Sequence, residues 1–549
     1  MNDRDSYYER IKALVGDRLT EKRVEVLGTG FLSKAVELLA SCGIVKFNFC
    51  ASMRTSFGNT APAAVGLISY LESHNQFEDR WEFGHLDNGE PDLILGGNGL
   101  DHCRLACHKA RYKKIPCVLA WRSKSGLTMI MVVSPGEEDF SLGFLEKMDD
   151  GSKEISYIDL VDLNNQVANV AKAILLKGSQ WERKDFNNLF SAGRNLIIVN
   201  HPTWPWAGKF LNPKDPEDIK LLEYRSPNFS SLKIHDLRGR KVMVVGLGSL
   251  GSIAADHFRV LGASVIGIDF KEVSLYNPVR QLYSTSCVGL PKSQVLPTTL
   301  TLREGRFEEI LEHTDKRLII KIKDGRRFTG IDEKIEDSRE GQKKFEELVD
   351  EFKPDLVMLA TAHQSEFRMA HVLRERGILH IIARCYRRAK WFEVTAVDGA
   401  GGPCFGCLQG HLYTGVAPSI ELTEEEQTHY DGTVRLDKMV EAEPATRIDT
   451  SRSADAATRL ACELLASAEK RSEWFRKMMS EERNCLIGGN TAEFREKEND
   501  WAYGIASPGS ATIYGVINFV GSETEKEKTC LYCGRTHEVL IHRAPTPTS

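Results

Sequence analysis

Apolar positions along this chain alternate between two spacings. From Lys241 the sequence reads KVMVVGLGSLGSIAADHFRVLGASVIGIDF. The run Val242 to Val245 is short and continuously apolar, as in a strand covered on both faces. A glycine-rich turn follows, then apolar residues at helical spacing, then a second apolar run ending at Asp269. The pattern predicts strand, turn, helix, strand. The same order occurs earlier in RVEVLGTGFLSKAVELLASCGIVKFNFCA, Arg23 to Ala51, with one residue of slippage. A second pair of segments also corresponds: PDLILGGNGLDHCRLACHKARYKKIPCVLA from Pro91, and PDLVMLATAHQSEFRMAHVLRERGILHIIA from Pro354. Each predicts strand, loop, helix, strand. Two correspondences in one order predict an internal repeat of a whole α/β domain.

Between the copies lies HPTWPWAGKFLNPKDPEDIK, where repeated proline fixes φ and removes donors. It reads as an ordered connector, neither helix nor central strand. The expected division is 1–205, a connector at 206–238, and 239–549. A charged stretch from Arg303 to Asp350 ends in a segment of helical spacing and reads as a solvated helix.

Chemistry concentrates in the second copy. Gly246 permits a tight turn, Gly248 lets backbone approach a phosphate, and Gly251 lets helix and strand pack closely. The helix start then offers N–H groups to an anion. Asp269 is placed to accept from ribose hydroxyls. Asn277, Arg280, Gln281 and Lys292 follow within one loop; two cations there suit a triphosphate better than hydride transfer. In the first copy the third glycine is Ser33, and Cys50 or Ala51 replaces the acid. Arg54 and Asn59 lack the Asn-x-x-Arg-Gln spacing, so this copy reads as structural or partner-holding.

Two CxxC pairs, Cys404/Cys407 and Cys530/Cys533, have the spacing for one closed four-thiolate zinc site; unrelated buried pairs or a redox disulfide is the alternative. Thirteen cysteines scattered over 549 residues suggest reduced thiols in a cytoplasmic protein. The net charge of −5 argues against nucleic acid as partner. No apolar run is long enough to span a membrane, and the polar start MNDRDSYYER is no signal peptide.

Gly-x-Gly-x-x-Gly, Asp269, Asn277-x-x-Arg280-Gln281 and Pro291-Lys292 together resemble the ThiF/MoeB and ubiquitin-activating enzyme superfamily. The resemblance implies two tandem Rossmann-like adenylation domains forming a pseudo-dimer, the inactive one first. It implies ATP and Mg²⁺ as cofactors, zinc at the four cysteines, and adenylation of the C-terminal carboxylate of a ubiquitin-like protein. Thioester formation and transfer to a conjugating-enzyme-like protein would follow. Arg10, in Tyr8-Glu9-Arg10-Ile11, resembles an arginine that reaches the phosphates across the pseudo-dimer, although Ile11 stands where the family has Gln; a surface arginine is the alternative. The thioester cysteine, expected within about 408–500, has Ala445 at its place, with Cys485 as the other candidate thiol. Cys287, Cys385 and Cys462 read as structural. The family's magnesium-binding Asp-Asn is replaced by Ala362 and His363, with Glu366 a possible substitute; Asp355 reads as structural. A homodimer is possible, and the compact size suggests a bacterial conjugation-like system of the antiphage-defence type. The alternatives left open are a sulfur-carrier adenylyltransferase without an enzyme thioester, a scaffold of the same fold, and a nicotinamide oxidoreductase.

Overall fold

The computed structural model describes residues 19, 22–28, 31–42, 46–49, 90–151, 155–177, 195–200, 209–220, 222, 236–274, 277–278, 280–303, 307–362, 365–385, 391–399, 404–406, 446–480, 485–489, 513–515, 527–529 and 536–538. They form two α/β units, each built on its own sheet.

The first unit contains β1 (Arg23–Leu27), α1 (Ser33–Ser41), β2 (Lys46–Phe49), β3 (Leu93–Gly96), α2 (Leu100–Lys113), β4 (Cys117–Arg122), β5 (Thr128–Val133), α3 (Glu138–Leu145), α4 (Tyr157–Lys177), β6 (Leu196–Asn200) and β7 (Lys209–Leu211). Its strand order is β2-β1-β3-β4-β5-β6-β7. A short helix, α5 (Pro216–Lys220), follows. The connector, expected to be neither helix nor central strand, thus holds a short helix and an edge strand. β7 joins the sheet at its edge, where an unpaired side is tolerated. Pro216 opens α5, where its missing N–H costs nothing.

The second unit contains β8 (Lys241–Val245), α6 (Gly251–Val260), β9 (Ser264–Ile268), α7 (Lys292–Arg303), β10 (Phe307–His313), β11 (Arg317–Ile322), β12 (Arg327–Ile331), α8 (Arg339–Phe352), β13 (Leu356–Leu359), α9 (Ser365–Glu375), β14 (Leu379–Cys385), β15 (Trp391–Val397), α10 (Arg447–Leu465), α11 (Glu473–Ser480), β16 (Cys485–Gly489) and β17 (Ile513–Gly515). The order is β10-β11-β12-β9-β8-β13-β14-β15-β16-β17. From β9 to β17 it repeats the first sheet strand for strand, parallel through four strands and antiparallel beyond. The added β10–β12 meander extends the other edge. Arg23 pairs with Lys46 and Lys241 with Ser264, at the same spacing, so the repeat needs no slippage.

Each central strand is latched alike. Asp92 Oδ2 accepts from the Arg23 amide at 2.9 Å, and Asp355 Oδ2 accepts from the Lys241 amide at 2.8 Å. Asp355 is structural, as its place at the strand start suggests. The charged helix α8 buries Phe345, Leu348 and Val349 and is capped by Ser338 Oγ, which accepts from the Gly341 amide at 3.0 Å.

Helices α4 and α10 hold corresponding places in the two units and pack on each other. Ile448 of α10 lies in the first unit's apolar core, and Ile158 of α4 lies in the second's. Polar pairs cross the same seam: Arg459 to Asp159 at 2.8 Å, Asn165 Nδ2 to Asp455 Oδ2 at 3.0 Å, and Lys172 to Asp449 at 3.0 Å. Every residue of α10 is buried, its charged side chains included. Two more strands, β18 (Glu527–Thr529) and β19 (Thr536–Glu538), form an antiparallel pair.

Candidate functional site: the crevice beyond β8 and β9

A parallel sheet presents loops at the carboxyl ends of its strands, and ligands collect where the strand order reverses. In the second unit that point lies beyond β8, between β9 and β13. The chain leaves β8 through Gly246, whose φ is +90°. An added Cβ at Gly246 would stand 2.7 Å from Ala360 O, and one at Gly251 would stand 1.8 Å from Gly246 O. Both positions exclude larger residues for steric reasons. At Gly248 an added Cβ would meet no atom within 4 Å, so that turn faces open space. Helix α6 begins just beyond it with no side-chain cap. The amide-rich end is thus directed at the crevice.

Asp269 follows β9 and is buried. Its Oδ2 accepts from the Leu247 amide at 2.7 Å and its Oδ1 from the Lys271 amide at 2.8 Å. The carboxylate therefore shapes the glycine loop, and each oxygen retains a lone pair for a ribose hydroxyl. Tyr283, also buried, donates its hydroxyl to Leu247 O at 2.7 Å. Burial holds that phenol well above its usual pKa, with the Asp269 charge adding to the effect. Sequence reasoning missed Tyr283, because no motif spacing links it to residue 247.

Lys292 opens α7 and is buried, its ammonium 6.0 Å from the centre of the Tyr283 ring. Burial pushes its pKa down to about 8, against the pull of Asp269 and with further lowering by Arg280 and Lys271. No carboxylate among the described residues ion-pairs with it. A buried lysine held among other cations is costly and is relieved by an incoming anion.

The loop 277–281 turns on Asn277. Its Oδ1 accepts from the Ser274 amide at 3.0 Å, and its carbonyl accepts from the Arg280 and Gln281 amides at 3.1 and 2.8 Å. Asn277 thus shapes the loop that carries Arg280. Gln281 is buried, with its Oε1 unpaired among the described residues.

On the β13 side the chain passes through Ala362, whose φ of +53° is left-handed. Glu366 does not substitute for the absent acid. Its Oε1 accepts from the Thr361 and Ala362 amides, each at 2.8 Å, and from Thr361 Oγ1 at 3.0 Å. Its Oε2 pairs with Arg384 at 2.7 Å. Fully buried and satisfied at both oxygens, it is a structural anchor and not a free ligand for magnesium. His363 lies outside the described residues.

The other expected groups divide. Cys485 is buried in β16, and burial raises its thiol well above the ordinary range, so it is no reactive nucleophile. Cys462 is buried in α10 and is structural. Cys287 and Cys385 are only half-buried; burial of its thiol still holds Cys385 up at about 12. Cys404 is buried at the start of a short turn beyond β15. Arg10, Ala445, Cys407, Cys530 and Cys533 lie outside the described residues. Among the described residues no cluster of three or more His, Cys, Asp or Glu is placed to hold a metal. Nor is any helix among them long and apolar enough to cross a membrane.

Glycine turn, following acid and cation-bearing loop all surround one crevice, within the part of the chain, residues 223–429, that matches the ThiF family. This stretch of the second unit is similar to the ThiF family. No curated protein matches the chain. Among solved structures, Escherichia coli MccB with ATP is 14% identical, over 76% of this chain and 98% of that one, with a TM-score of 0.35. PaaA is 15% identical over 49% and 82%, at 0.33. E. coli tRNA N6-threonylcarbamoyladenosine dehydratase, TcdA, in complex with AMP, is 15% identical over 46% and 91%, at 0.26. The likeness to the ThiF family spans residues 223–429, the stretch that holds the glycine turn, Asp269, the 277–281 loop and Lys292.

Proposed function

We propose that the protein is an ATP-dependent activating enzyme whose substrate is the C-terminal carboxylate of a ubiquitin-like protein. A substrate carboxylate oxygen attacks the α-phosphorus, the bond to the bridging oxygen breaks, and pyrophosphate leaves with the electron pair. Gly246, Gly248 and Gly251 shape the phosphate turn, Asp269 receives the ribose, and Arg280 and Lys292 meet the phosphate charge. Arg10 adds a further cation, and Asn277 and Gln281 hold the loop in place. The observation that carries this reading is Lys292, a buried cation with no ion-pair partner among the described residues, beside a helix start and a ribose-type acid.

The two sheets of like order support a tandem pseudo-dimer. In it 1–205, extended by β7, is the silent domain, and 239–549 is the active one. Zinc at the four cysteines belongs to this reading: Cys404 is buried, and the paired Thr529 and Thr536 stand either side of the segment that holds Cys530 and Cys533. Together with Cys407 these would clamp the chain's last segment to the second domain. Magnesium finds no open carboxylate at Ala362 or Glu366, and no step is assigned to it. Acyl transfer to a thiol at position 445, and from there to a conjugating-enzyme-like protein, would require cysteine where this sequence has Ala445. A scaffold of the same fold is the second reading, favoured by Ala362 and by the full engagement of Glu366.

Calorimetry with ATP and with NAD tests the nucleotide. ATP–pyrophosphate exchange, stimulated by a ubiquitin-like protein with a free glycine C-terminus, tests the substrate. Thioester capture by an Ala445→Cys variant tests the last step. Binding of NAD without ATP would end the proposal, and ATP binding without exchange would favour the scaffold.

A further inference from the structure

Two side chains on the first turn of α10 reach back to the loop that carries Arg280. Arg447 Nη2 donates to Gln281 O at 2.7 Å and to Pro278 O at 3.1 Å. Thr450 Oγ1 donates to Arg280 O at 3.0 Å. Arg447 Nη1 faces Glu37 Oε1 of α1, in the first unit, at 3.4 Å. The turn is itself fixed: Asp449 Oδ2 accepts from the Thr446 amide and from Thr446 Oγ1, both at 2.8 Å, and its Oδ1 pairs with Lys172 of α4. All these side chains are buried or nearly so. The carbonyls of 278, 280 and 281 thus meet α10. Tyr157, which opens α4 at the corresponding place in the first unit, has no guanidinium and packs edge-on against His257 instead.

We infer that Arg447 is a positioning residue for nucleotide phosphate, fixing the backbone beneath Arg280, and that Glu37 makes the silent unit part of that brace. The inference rests on the reading of the crevice as a triphosphate site. A forked guanidinium on two carbonyls sets the loop's orientation as well as its distance, which a lysine cannot reproduce. Arg280 is then held in place before ATP arrives, and the cost of ordering it is not taken from binding.

The test is calorimetry on the full chain with ATP and, separately, adenosine. Variants Arg447→Ala, Arg447→Lys, Thr450→Val and Glu37→Gln are compared in the wild-type background, and Arg447→Ala also on Arg280→Ala. Expected is a loss of ATP affinity of about tenfold for Arg447→Ala and about threefold for Thr450→Val, with adenosine affinity within about twofold. Arg447→Lys and Glu37→Gln fall between. On Arg280→Ala the further loss vanishes, because Arg447 acts through that guanidinium. Should Arg447→Ala fail to fold, Thr450→Val, which keeps side-chain volume, carries the same comparison. Equal losses for ATP and adenosine, or full additivity with Arg280→Ala, would overturn the inference alone. Wild-type protein that binds no ATP would overturn the triphosphate reading and the inference with it.

Discussion

The first and second units share strand order, strand register and the aspartate latch on the central strand, yet they differ at the loops those strands carry. Gly28 and Gly246 both turn with positive φ, against Gly97 O and Ala360 O respectively. Beyond that turn the units part. The second helix starts on Gly251 and the first on Ser33. The second unit adds an acid, a cation loop and the β10–β12 meander; the first contributes Glu37 and Lys172 to the seam. A framework can therefore be kept by packing while ligand groups are lost, because the framework's energy lies in buried apolar strands and not in the loops. What the first unit retains is what the second leans on.

The largest expected break in this symmetry is at the helix starts. Gly251→Ala sets a methyl against Gly246 O, a backbone atom, and is expected to cost about 3 kcal/mol and to abolish ATP binding. Ser33→Ala, the corresponding change in the first unit, should cost at most about 1 kcal/mol and leave ATP binding intact. Denaturant unfolding and calorimetry read both. Similar losses for the two variants would mean that the units carry ligand alike.

Lys292 is next. Folding lowers its pKa from 10.5 to about 8, so the unfolded chain binds more protons between those values. Stability must then rise as pH climbs from 8 toward 10.5. Lys292→Met removes the buried charge and should gain roughly 2 kcal/mol at pH 7, discounting the shift for relaxation around the charge. ATP affinity should meanwhile fall about a hundredfold. In the wild type, affinity should weaken as pH passes 8, because the ammonium that meets phosphate is being lost. A pH-independent affinity would remove Lys292 from the site.

Much of this was legible in the sequence, for local reasons. Gly-x-Gly-x-x-Gly, Asp269 and the run to Lys292 are short-range patterns, and both copies of strand, turn, helix, strand fall where the apolar spacing sets them. What was not legible depends on contacts between distant residues. Arg447 meets a loop 166 residues away, and Tyr283 closes on Leu247 across 36. Glu366 looked like a spare acid because nothing in its neighbours reveals two amides and Arg384 converging on it. Cys462 reads as structural from the sequence, but nothing there reveals that the charged side chains of α10 are equally buried, where α4 of the other unit packs on it. A sequence pattern reports which side chains avoid water. It does not report which polar ones have found a partner elsewhere.

The seam gives a smaller test. Asp455 lies against Asn165, with Asp162, Lys34, Arg452 and His257 around it. Burial, and then Asp162, push its pKa up to about 7, while burial keeps His257 neutral by lowering it to about 3. The folded state binds the extra proton between 3.8 and 7, so this contribution to stability is present below 3.8 and lost as pH rises through 7. Asp455→Asn should flatten that decline and gain about 1 kcal/mol at pH 8. Unchanged pH dependence in the melting temperature would show the seam to be ionised throughout.

The smallest effect is where the units are most alike. Asp92 and Asp355 each hold the first amide of a central strand, and each has a cation beside it, Lys22 at 2.8 Å and Arg240 at 3.2 Å. Both carboxylates are partly exposed, so the ion pairs add little and the amide bond dominates. Asp92→Asn and Asp355→Asn should each cost about 1 kcal/mol and combine additively, because the sites share no partner. Neither should alter ATP affinity, although Asp355 sits in the stretch that matches the ThiF family, since it lies at the strand end opposite the crevice. A selective loss of ATP binding in Asp355→Asn would mean that the end of β13 away from the loops communicates with them, and the likeness between the units would then stop short of their frameworks.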